Sequence, residues 1–302
     1  MKTTSVAAES SASWKDYLEL CKPKVVALML LTSVIGMLLA TYSLPSWDVL
    51  ILGNVGIGLM AASAATVNHV VDRRIDIHMA RTRNRPIAQG KVDALSASLF
   101  AIVIGVIGMA VLMVYINALT AWLTLASLIG YALIYTLYLK RATPQNIVIG
   151  GLAGAAPPLL GWTAVTGHIE PDALLLVLII FAWTPPHFWA LAIHRKEEYA
   201  KVGIPMLPVT HGEKFTKLHI LLYTVILIAI TVFPFLTGMS GEIYLVSALL
   251  LGARFMQWSI RMIRNTHKHA AINTFKYSIS YLMLLFVALL VDHYTRPYWL
   301  GL

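Results

Sequence analysis

The sequence contains one cysteine, Cys21, and little charge. Only 12% of its 302 residues are charged and 58% are hydrophobic, with a mean hydropathy of +0.74, whereas soluble globular proteins carry about 25% charged residues. A single cysteine excludes an internal disulfide and a cysteine-based metal site. The shortage of charge excludes an ordinary soluble domain, and we expect no nucleic-acid partner. The composition instead predicts a polytopic membrane protein that is embedded in a lipid bilayer.

Nine apolar runs are long enough to cross about 30 Å of hydrocarbon, which takes about 20 helical residues. Backbone groups that face lipid must be hydrogen-bonded within their own segment, and the runs lack the alternating pattern of a membrane barrel. The sequence therefore predicts an all-α bundle of nine transmembrane helices, with kinks at the proline pairs 157–158 and 185–186. The runs are residues 25–43, 48–69, 95–115, 119–139, 146–166, 172–193, 216–236, 243–263 and 275–294.

Lysine and arginine are absent from every second connection between these runs. The positive-inside rule assigns the basic connections to the cytoplasm, which predicts a cytoplasmic N-terminus and a multi-pass protein of the inner membrane. Two cations do not follow the pattern, because Arg296 lies on the far side and Arg254 lies within a run. The predicted parts are a cytoplasmic tail (1–24), a transmembrane domain (25–294) with two cytoplasmic loops (70–94 and 194–215), and a periplasmic tail (295–302).

The first long loop follows a motif of three oxygen-bearing side chains. Asn68, Asp72 and Asp76 recur at every fourth position, so on a helix they form one stripe. Mg²⁺ binds through one or two carboxylates and completes its shell with water and phosphate oxygens. The alternative is a solvated helix end that is paired with Arg73 and Arg74, although neighbouring positions on a helix do not face each other. The stripe therefore predicts a Mg²⁺ site with all three side chains as ligands.

Arginines follow the motif closely. Arg81 and Arg85 lie within ten residues of its last aspartate, and a guanidinium fork matches phosphate oxygens in a bidentate manner. Lys140 and Arg141 end the fourth run on the same predicted side of the membrane. Carboxylates that hold a metal, together with these four cations, predict a binding site for a diphosphate.

The motif and its arginines resemble the first signature of the UbiA-type intramembrane prenyltransferases. The pattern Asn-x-x-x-Asp-x-x-x-Asp, followed by RTRNRP, lies at the cytoplasmic end of the second run, as in that family. Residues 22–40, 135–162 and 183–212 are similar to the haem-modifying branch of the superfamily, above all in the segments PPHFWALAI and GIPMLPV. The resemblance implies that the three side chains of the stripe are catalytic and that Mg²⁺ is the cofactor.

The sequence departs from the family pattern in two places, at one residue of the first motif and in the second loop. Arg74 stands where the family usually has a third aspartate. The 195–217 loop contains no aspartate, although relatives outside the haem-modifying branch carry a second aspartate motif there. The pair Glu198–Tyr199 aligns best with the second acidic loop of the branch, with Lys201 beside it. The resemblance thus implies Glu198 as a further metal ligand, at a second site that is less complete than the first.

Histidines near the end of the sixth run are candidates for contact with haem. Imidazole is a common ligand of haem iron, and His187 and His194 share a helix face at positions i and i+7. A lone histidine in a membrane helix is also commonly a hydrogen-bonded packing residue, so both interpretations stay open.

Tyr135 and Tyr138 lie near Lys140, and their rings either steady a developing cation or form an interfacial aromatic belt.

The resemblance implies a farnesyl transfer with farnesyl diphosphate and haem B as substrates. A haem vinyl group would receive the farnesyl group, water would add, and haem O and diphosphate would be the products. One alternative is an aromatic polyprenyltransferase of quinone synthesis. Another is a transporter lined by intramembrane polar residues, although the charge is concentrated at one face rather than at the midplane. The resemblance also leaves open an assembly with haem A synthase or a terminal oxidase.

Overall fold

The computed structural model describes residues 12–79, 82–267 and 269–300, with the backbone alone for residues 297–300. These ranges are mostly helical and contain no strand, so the predicted all-α class is confirmed. In chain order the helices are α1 (Trp14–Leu20), α2 (Pro23–Leu39), α3 (Trp47–Asp76), α4 (Ala94–Tyr115), α5 (Ala118–Ile129), a π-helical segment (Gly130–Leu139), α6 (Lys140–Ala142), α7 (Asn146–Ala155), α8 (Pro157–Thr166), α9 (Pro171–His194), α10 (Lys196–Lys201), α11 (Leu207–Thr210), α12 (Gly212–Leu236), α13 (Glu242–Ile263) and α14 (Ala270–Leu300).

Eight helical stretches in the described ranges are long and apolar enough to cross a membrane. The ninth is supplied by α1 and α2, which are bent by 53° against each other and pass as one span. The prediction of nine spans is therefore confirmed when this pair is counted once. Helix α1 begins within the predicted tail, and α14 continues past residue 294. The side of the membrane on which the N-terminus lies stays a prediction.

Helix α3 has 30 residues and is therefore about 45 Å long, which exceeds the thickness of the hydrocarbon. Its last two turns carry the aspartates of the motif, so they can reach the interfacial region. The following loop returns to the bundle through Asp93, whose side chain accepts hydrogen bonds from the backbone of Leu95 and Ser96 and caps α4. These bonds to Ser96 and its neighbours lower the pKa of Asp93, because they stabilise its charged form.

Prolines affect two helices differently. At the first predicted kink the chain divides at Ala156, between α7 and α8, since a proline at the next position cannot donate the helical hydrogen bond. Helix α9 instead continues without interruption through Pro185 and Pro186. The second proline pair therefore does not end its helix.

Close backbone contact holds α2 against α8. A Cβ atom on Gly36 would lie 2.1 Å from the carbonyl oxygen of Pro158, and one on Gly161 would lie 2.0 Å from that of Ser33. Small residues are common where membrane helices meet, because they allow their backbones to approach. This contact fixes α2, and with it the chain segment that enters the site from the N-terminus.

The two loops predicted to be cytoplasmic pack on each other. Met79 of the first loop belongs to the same buried apolar cluster as Ile204 and Met206 of the second loop, together with Trp189 of α9. All four side chains are at least nine-tenths buried. The loops therefore cover one end of the bundle, next to the end of α3.

Candidate active site

The predicted stripe on α3 is buried. Asn68, Asp72 and Asp76 are 5%, 2% and 4% exposed, which is unusual for aspartate unless it is paired. The amide nitrogen of Asn68 donates to Oδ2 of Asp72 at 3.0 Å. The three side chains thus form one polar strip that faces the interior of the bundle.

Each aspartate of the stripe forms an ion pair with a predicted diphosphate-binding cation. Nζ of Lys140 lies 2.6 Å from Oδ2 of Asp72, and Nη1 of Arg85 lies 2.7 Å from Oδ2 of Asp76. The lysine and arginine side chains are 16% exposed and the aspartates 5% or less. The structure therefore brings together four of the predicted site residues across 68 positions of sequence.

Lys22 joins the site from the N-terminal side, which the sequence did not predict. Its Nζ donates to Oδ1 of Asn68. The backbone of Lys22 is in the left-handed region, with φ of 49°, although the residue precedes Pro23 and is not glycine. Such conformations are uncommon and collect at functional sites. Here the left-handed residue turns the chain between α1 and α2 and holds the lysine at the stripe.

The π-helical segment supplies the next wall of the site. The hydroxyl of Thr136 donates to the carbonyl oxygen of Tyr131 at 2.8 Å, and Asn68 donates to that hydroxyl at 3.3 Å. The ring of Tyr135 stacks on Tyr131 at 5.7 Å. It packs where Gly150 has no side chain, since a Cβ there would lie 2.1 Å from the ring. π-helical turns often occur at functional sites, and this one places Thr136 beside the stripe.

The remaining arginines near the stripe differ in their exposure and in their hydrogen bonds. Arg73 donates to the carbonyl oxygen of Val70 at 2.7 Å, so it does not neutralise the neighbouring aspartate. Arg74 is exposed, and so is Arg141. Among the described residues, no hydrogen bond or ion pair joins Arg141 to the stripe. The prediction for Arg81 lies outside the described residues.

Two buried groups beside the ion pairs have no protein partner. In the described part of the chain, Oδ1 of Asp72 and both ring nitrogens of His69 are buried without a hydrogen bond. Buried polar atoms are normally paired, and exceptions indicate a missing water, ion or ligand. A carboxylate oxygen without a donor is what Mg²⁺ requires. No group of three histidine, cysteine, aspartate or glutamate side chains suited to a metal occurs among the described residues, so water and phosphate would complete the shell.

The second loop packs on the first through its aromatic residue. Tyr199 is partly buried against the apolar cluster that contains Met79 of the first loop. Glu198 lies 3.7 Å from Arg195, and Lys201 is exposed. The loop is therefore held next to the end of α3 through Tyr199, while Glu198 interacts with a residue of its own loop.

The structure distinguishes the two candidate histidines. His194 is exposed at the end of α9, whereas His187 is 8% exposed. The ring of His187 lies between Trp183 and Phe275, with centroid distances of 4.2 and 4.6 Å. Its Nδ1 lies 2.7 Å from Oγ of Ser278.

The hydrogen bonds of the Ser278 hydroxyl determine which nitrogen of His187 carries the proton. This hydroxyl donates to the carbonyl oxygen of Phe275 at 2.6 Å, so it can only accept from His187. Nδ1 is therefore assigned the proton. Nε2 then carries the lone pair, and it is the atom of this ring that can bind iron.

Comparison with known proteins places this site in a family. Residues 29–292 match the UbiA prenyltransferase family. The protoheme IX farnesyltransferase of Hahella chejuensis is 67% identical over 97% of this chain and 98% of its own length. The protein of the same name from Marinobacter nauticus is 70% identical over 94% of both chains.

Solved structures share the fold at low sequence identity. A structure of digeranylgeranylglyceryl phosphate synthase has a TM-score of 0.80 at 19% identity and covers 93% of this chain and 98% of its own. A UbiA homologue from Archaeoglobus fulgidus, bound to GPP and Mg²⁺, has a TM-score of 0.62 at 16% identity, with coverage of 91% and 99%. The family match, over residues 29–292, extends over nearly the whole transmembrane domain and includes the stripe on α3. This multi-span membrane protein therefore belongs to the UbiA prenyltransferase family.

Proposed function

We propose that this protein transfers the farnesyl group of farnesyl diphosphate to a vinyl group of haem B, with addition of water, and thereby forms haem O. Support comes from relatives named protoheme IX farnesyltransferase that are 67–70% identical over nearly the whole chain. The structural observation that carries the proposal is the buried pairing of Asp72 with Lys140 and of Asp76 with Arg85. Carboxylates and cations in this arrangement can bind a metal and a diphosphate together.

Lys22, Arg85 and Lys140 would hold the diphosphate. Each of them donates to a side chain of the stripe in the free protein. Phosphate oxygens accept charge-assisted hydrogen bonds from the same groups, so the cations can turn from the side chains of the stripe to the substrate. Arg81 is proposed for the same role from the sequence alone, and the exposure of Arg141 speaks against such a role for it.

Asp72 and Asp76, with Asn68 as a neutral third oxygen, would hold Mg²⁺. The unpaired Oδ1 of Asp72 supports this assignment, and a structural neighbour was solved with GPP and Mg²⁺. When bound, the ion would neutralise the departing diphosphate and so favour ionisation. Glu198 is a proposed ligand of a second ion, although its contact with Arg195 makes it less available.

Haem B would lie against His187. Its Nε2 would contact the iron, while Ser278 and the flanking rings of Trp183 and Phe275 fix the plane of the imidazole. A vinyl group is a π-nucleophile and needs no deprotonated side chain. Attack of the vinyl group on the allylic cation leaves a cation beside the porphyrin, and addition of water to it, with loss of a proton to solvent, gives an alcohol. His194 is a weaker candidate because it is exposed.

We further infer that the two packed loops face the cytoplasm and that the protein lies in the bacterial inner membrane. The distribution of lysine and arginine supports this orientation, and the named relatives are bacterial. Water would then enter from the cytoplasmic end. An assembly with haem A synthase or a terminal oxidase stays a prediction.

A competition between acceptors tests the proposed function. The purified protein, with farnesyl diphosphate and Mg²⁺, is incubated with haem B or with 4-hydroxybenzoate, an aromatic quinone precursor. We expect the haem product to be heavier than haem B by one farnesyl group and one hydroxyl, and the aromatic acid to be unchanged. Prenylation of the aromatic acid without any change in haem would favour the alternative polyprenyltransferase.

A further inference from the structure

The exposed face of α13 carries a polar stripe that the proposed reaction does not use. Arg254, Gln257, Arg261 and Arg264 recur at intervals of three and four residues, which places them on one helix face. Arg254, Gln257 and Arg264 are exposed, and Arg261 is half-buried. Most side chains on the exposed faces of membrane helices are apolar, so a stripe of three arginines requires a partner.

The arginine farthest from the helix end lies near the middle of the span. Arg254 lies nine residues before Ile263, the last residue of α13, which corresponds to about 14 Å along the axis. Its guanidinium donates to the side chain of Gln257 and lies 5.4 Å from the ring centroid of Trp258. The guanidinium of Arg261, which follows Trp258 in the chain, lies 5.0 Å from the centroid of the same ring. The side chain of Arg254 therefore extends toward the interface, as long cations in membranes do.

No carboxylate neutralises this stripe within the described residues. None of the ion pairs found there includes Arg254, Arg261 or Arg264. Glu213, at the start of the neighbouring α12, is instead shared between Lys196 and Lys217. The positive charge on this face is therefore available to an anion from outside the chain.

A groove beside the stripe combines these cations with an apolar wall. Its volume is about 360 Å³, and it is lined by Ala253, Met256, Gln257, Ile260, Arg261, Arg264 and Thr266. The apolar residues lie on the membrane side and Arg264 and Thr266 at the end of the helix. The groove thus suits a ligand that is apolar at one end and anionic at the other.

We propose that this groove binds an anionic phospholipid. Its phosphate lies between Arg261 and Arg264, and an acyl chain follows Ala253, Met256 and Ile260 toward the depth of Arg254. Basic pockets at the interface of membrane proteins recognise anionic headgroups. The occupant is a lipid rather than a soluble anion because the groove continues along a helix face that lies in the hydrocarbon.

Native mass spectrometry of the purified full-length protein tests this proposal. The protein is exchanged into detergent with equal amounts of phosphatidylcholine and phosphatidylglycerol, and the retained lipid is measured. We expect wild type to retain phosphatidylglycerol preferentially. The double variant Arg261→Gln/Arg264→Gln should weaken this retention by about thirtyfold, since two headgroup cations are lost. Arg261→Lys/Arg264→Lys should restore most of it, and Lys91→Gln, which removes an exposed cation elsewhere, should not change it.

Three results would overturn the assignment. Equal retention of both lipids by wild type would remove the preference for an anion. Unchanged phosphatidylglycerol retention in the glutamine variant would remove the arginines from the site. A dimer that dissociates in the glutamine variant, with no lipid retained by wild type, would assign the face to a second copy of the chain. Thermal unfolding in phosphatidylcholine serves as the folding control for every variant.

Discussion

Replacing Asp72 or Asp76 by asparagine is expected to lower kcat about a thousandfold, in the range seen when a group that stabilises developing charge is lost. Each carboxylate is at least 95% buried and would hold the metal that neutralises the departing diphosphate. Asparagine keeps the size of the side chain and removes its charge. The measurement is the rate of haem conversion at saturating farnesyl diphosphate in membranes with equal amounts of protein.

Asp48→Asn is the matched control for these variants. Asp48 lies on the same helix, α3, but in its first turn, where it is exposed. The same chemical change there should leave the rate within about twofold of wild type, as expected for a surface site away from the reaction. Wild-type rates in Asp76→Asn would remove the metal assignment from α3. Loss of folded protein in the Asp72 or Asp76 variants, measured by thermal unfolding, would show a structural role instead.

Lys140→Met is expected to raise the apparent KM for farnesyl diphosphate about thirtyfold, since a charged hydrogen bond to phosphate contributes about 2 kcal/mol. The lysine lies 2.6 Å from Asp72 in the buried strip, where it would meet the substrate. Arg141→Met removes a neighbouring cation that is exposed, and its effect should stay below about threefold. The apparent KM for haem B should change little in either variant.

The pair of variants separates a local role from a general effect of charge. Equal increases in KM for Lys140→Met and Arg141→Met would indicate that net positive charge at this end attracts the substrate. A defect confined to haem affinity would contradict the proposed division between the diphosphate and haem parts of the site.

The membrane architecture could be read from the sequence because it follows from local properties. The length and hydropathy of a run fix whether it can span, and eight spans plus the bent pair appear where runs were predicted. The bend between α1 and α2 was not predicted, because it depends on the left-handed backbone of Lys22. Nor was the π-helical segment, for which the residues from Gly130 to Leu139 carry no distinct periodicity.

The site was predictable where it lies on a single helix. The spacing of Asn68, Asp72 and Asp76 required only the period of an α-helix, and the structure places them on one buried strip. Contacts between helices could not be derived in this way. For instance, whether Lys140 or Arg141 faces the stripe depends on the rotation of the chain in the π-helical segment that precedes them.

Similar reasoning separates the histidines. At i and i+7, His187 and His194 are equivalent on a helical wheel, and only the packing of α14 against α9 distinguishes them. Ser278 and Phe275 of α14 enclose His187, whereas His194 lies beyond this contact and is exposed. The contacts of Lys22 and Thr136 with Asn68 are tertiary in the same sense. The presence of KPK before the first span was the one signal in the sequence for Lys22.

The origin of the oxygen in the product decides whether the proposed reaction takes place. The purified protein is incubated with haem B, farnesyl diphosphate and Mg²⁺ in ¹⁸O-labelled water, and the haem is analysed by mass spectrometry. We expect a haem that has gained one farnesyl group and one hydroxyl, with the label in that hydroxyl, since water captures the cation left by attack of the vinyl group. A farnesylated haem whose hydroxyl oxygen is unlabelled would contradict the capture of water, and unchanged haem would contradict the transfer itself.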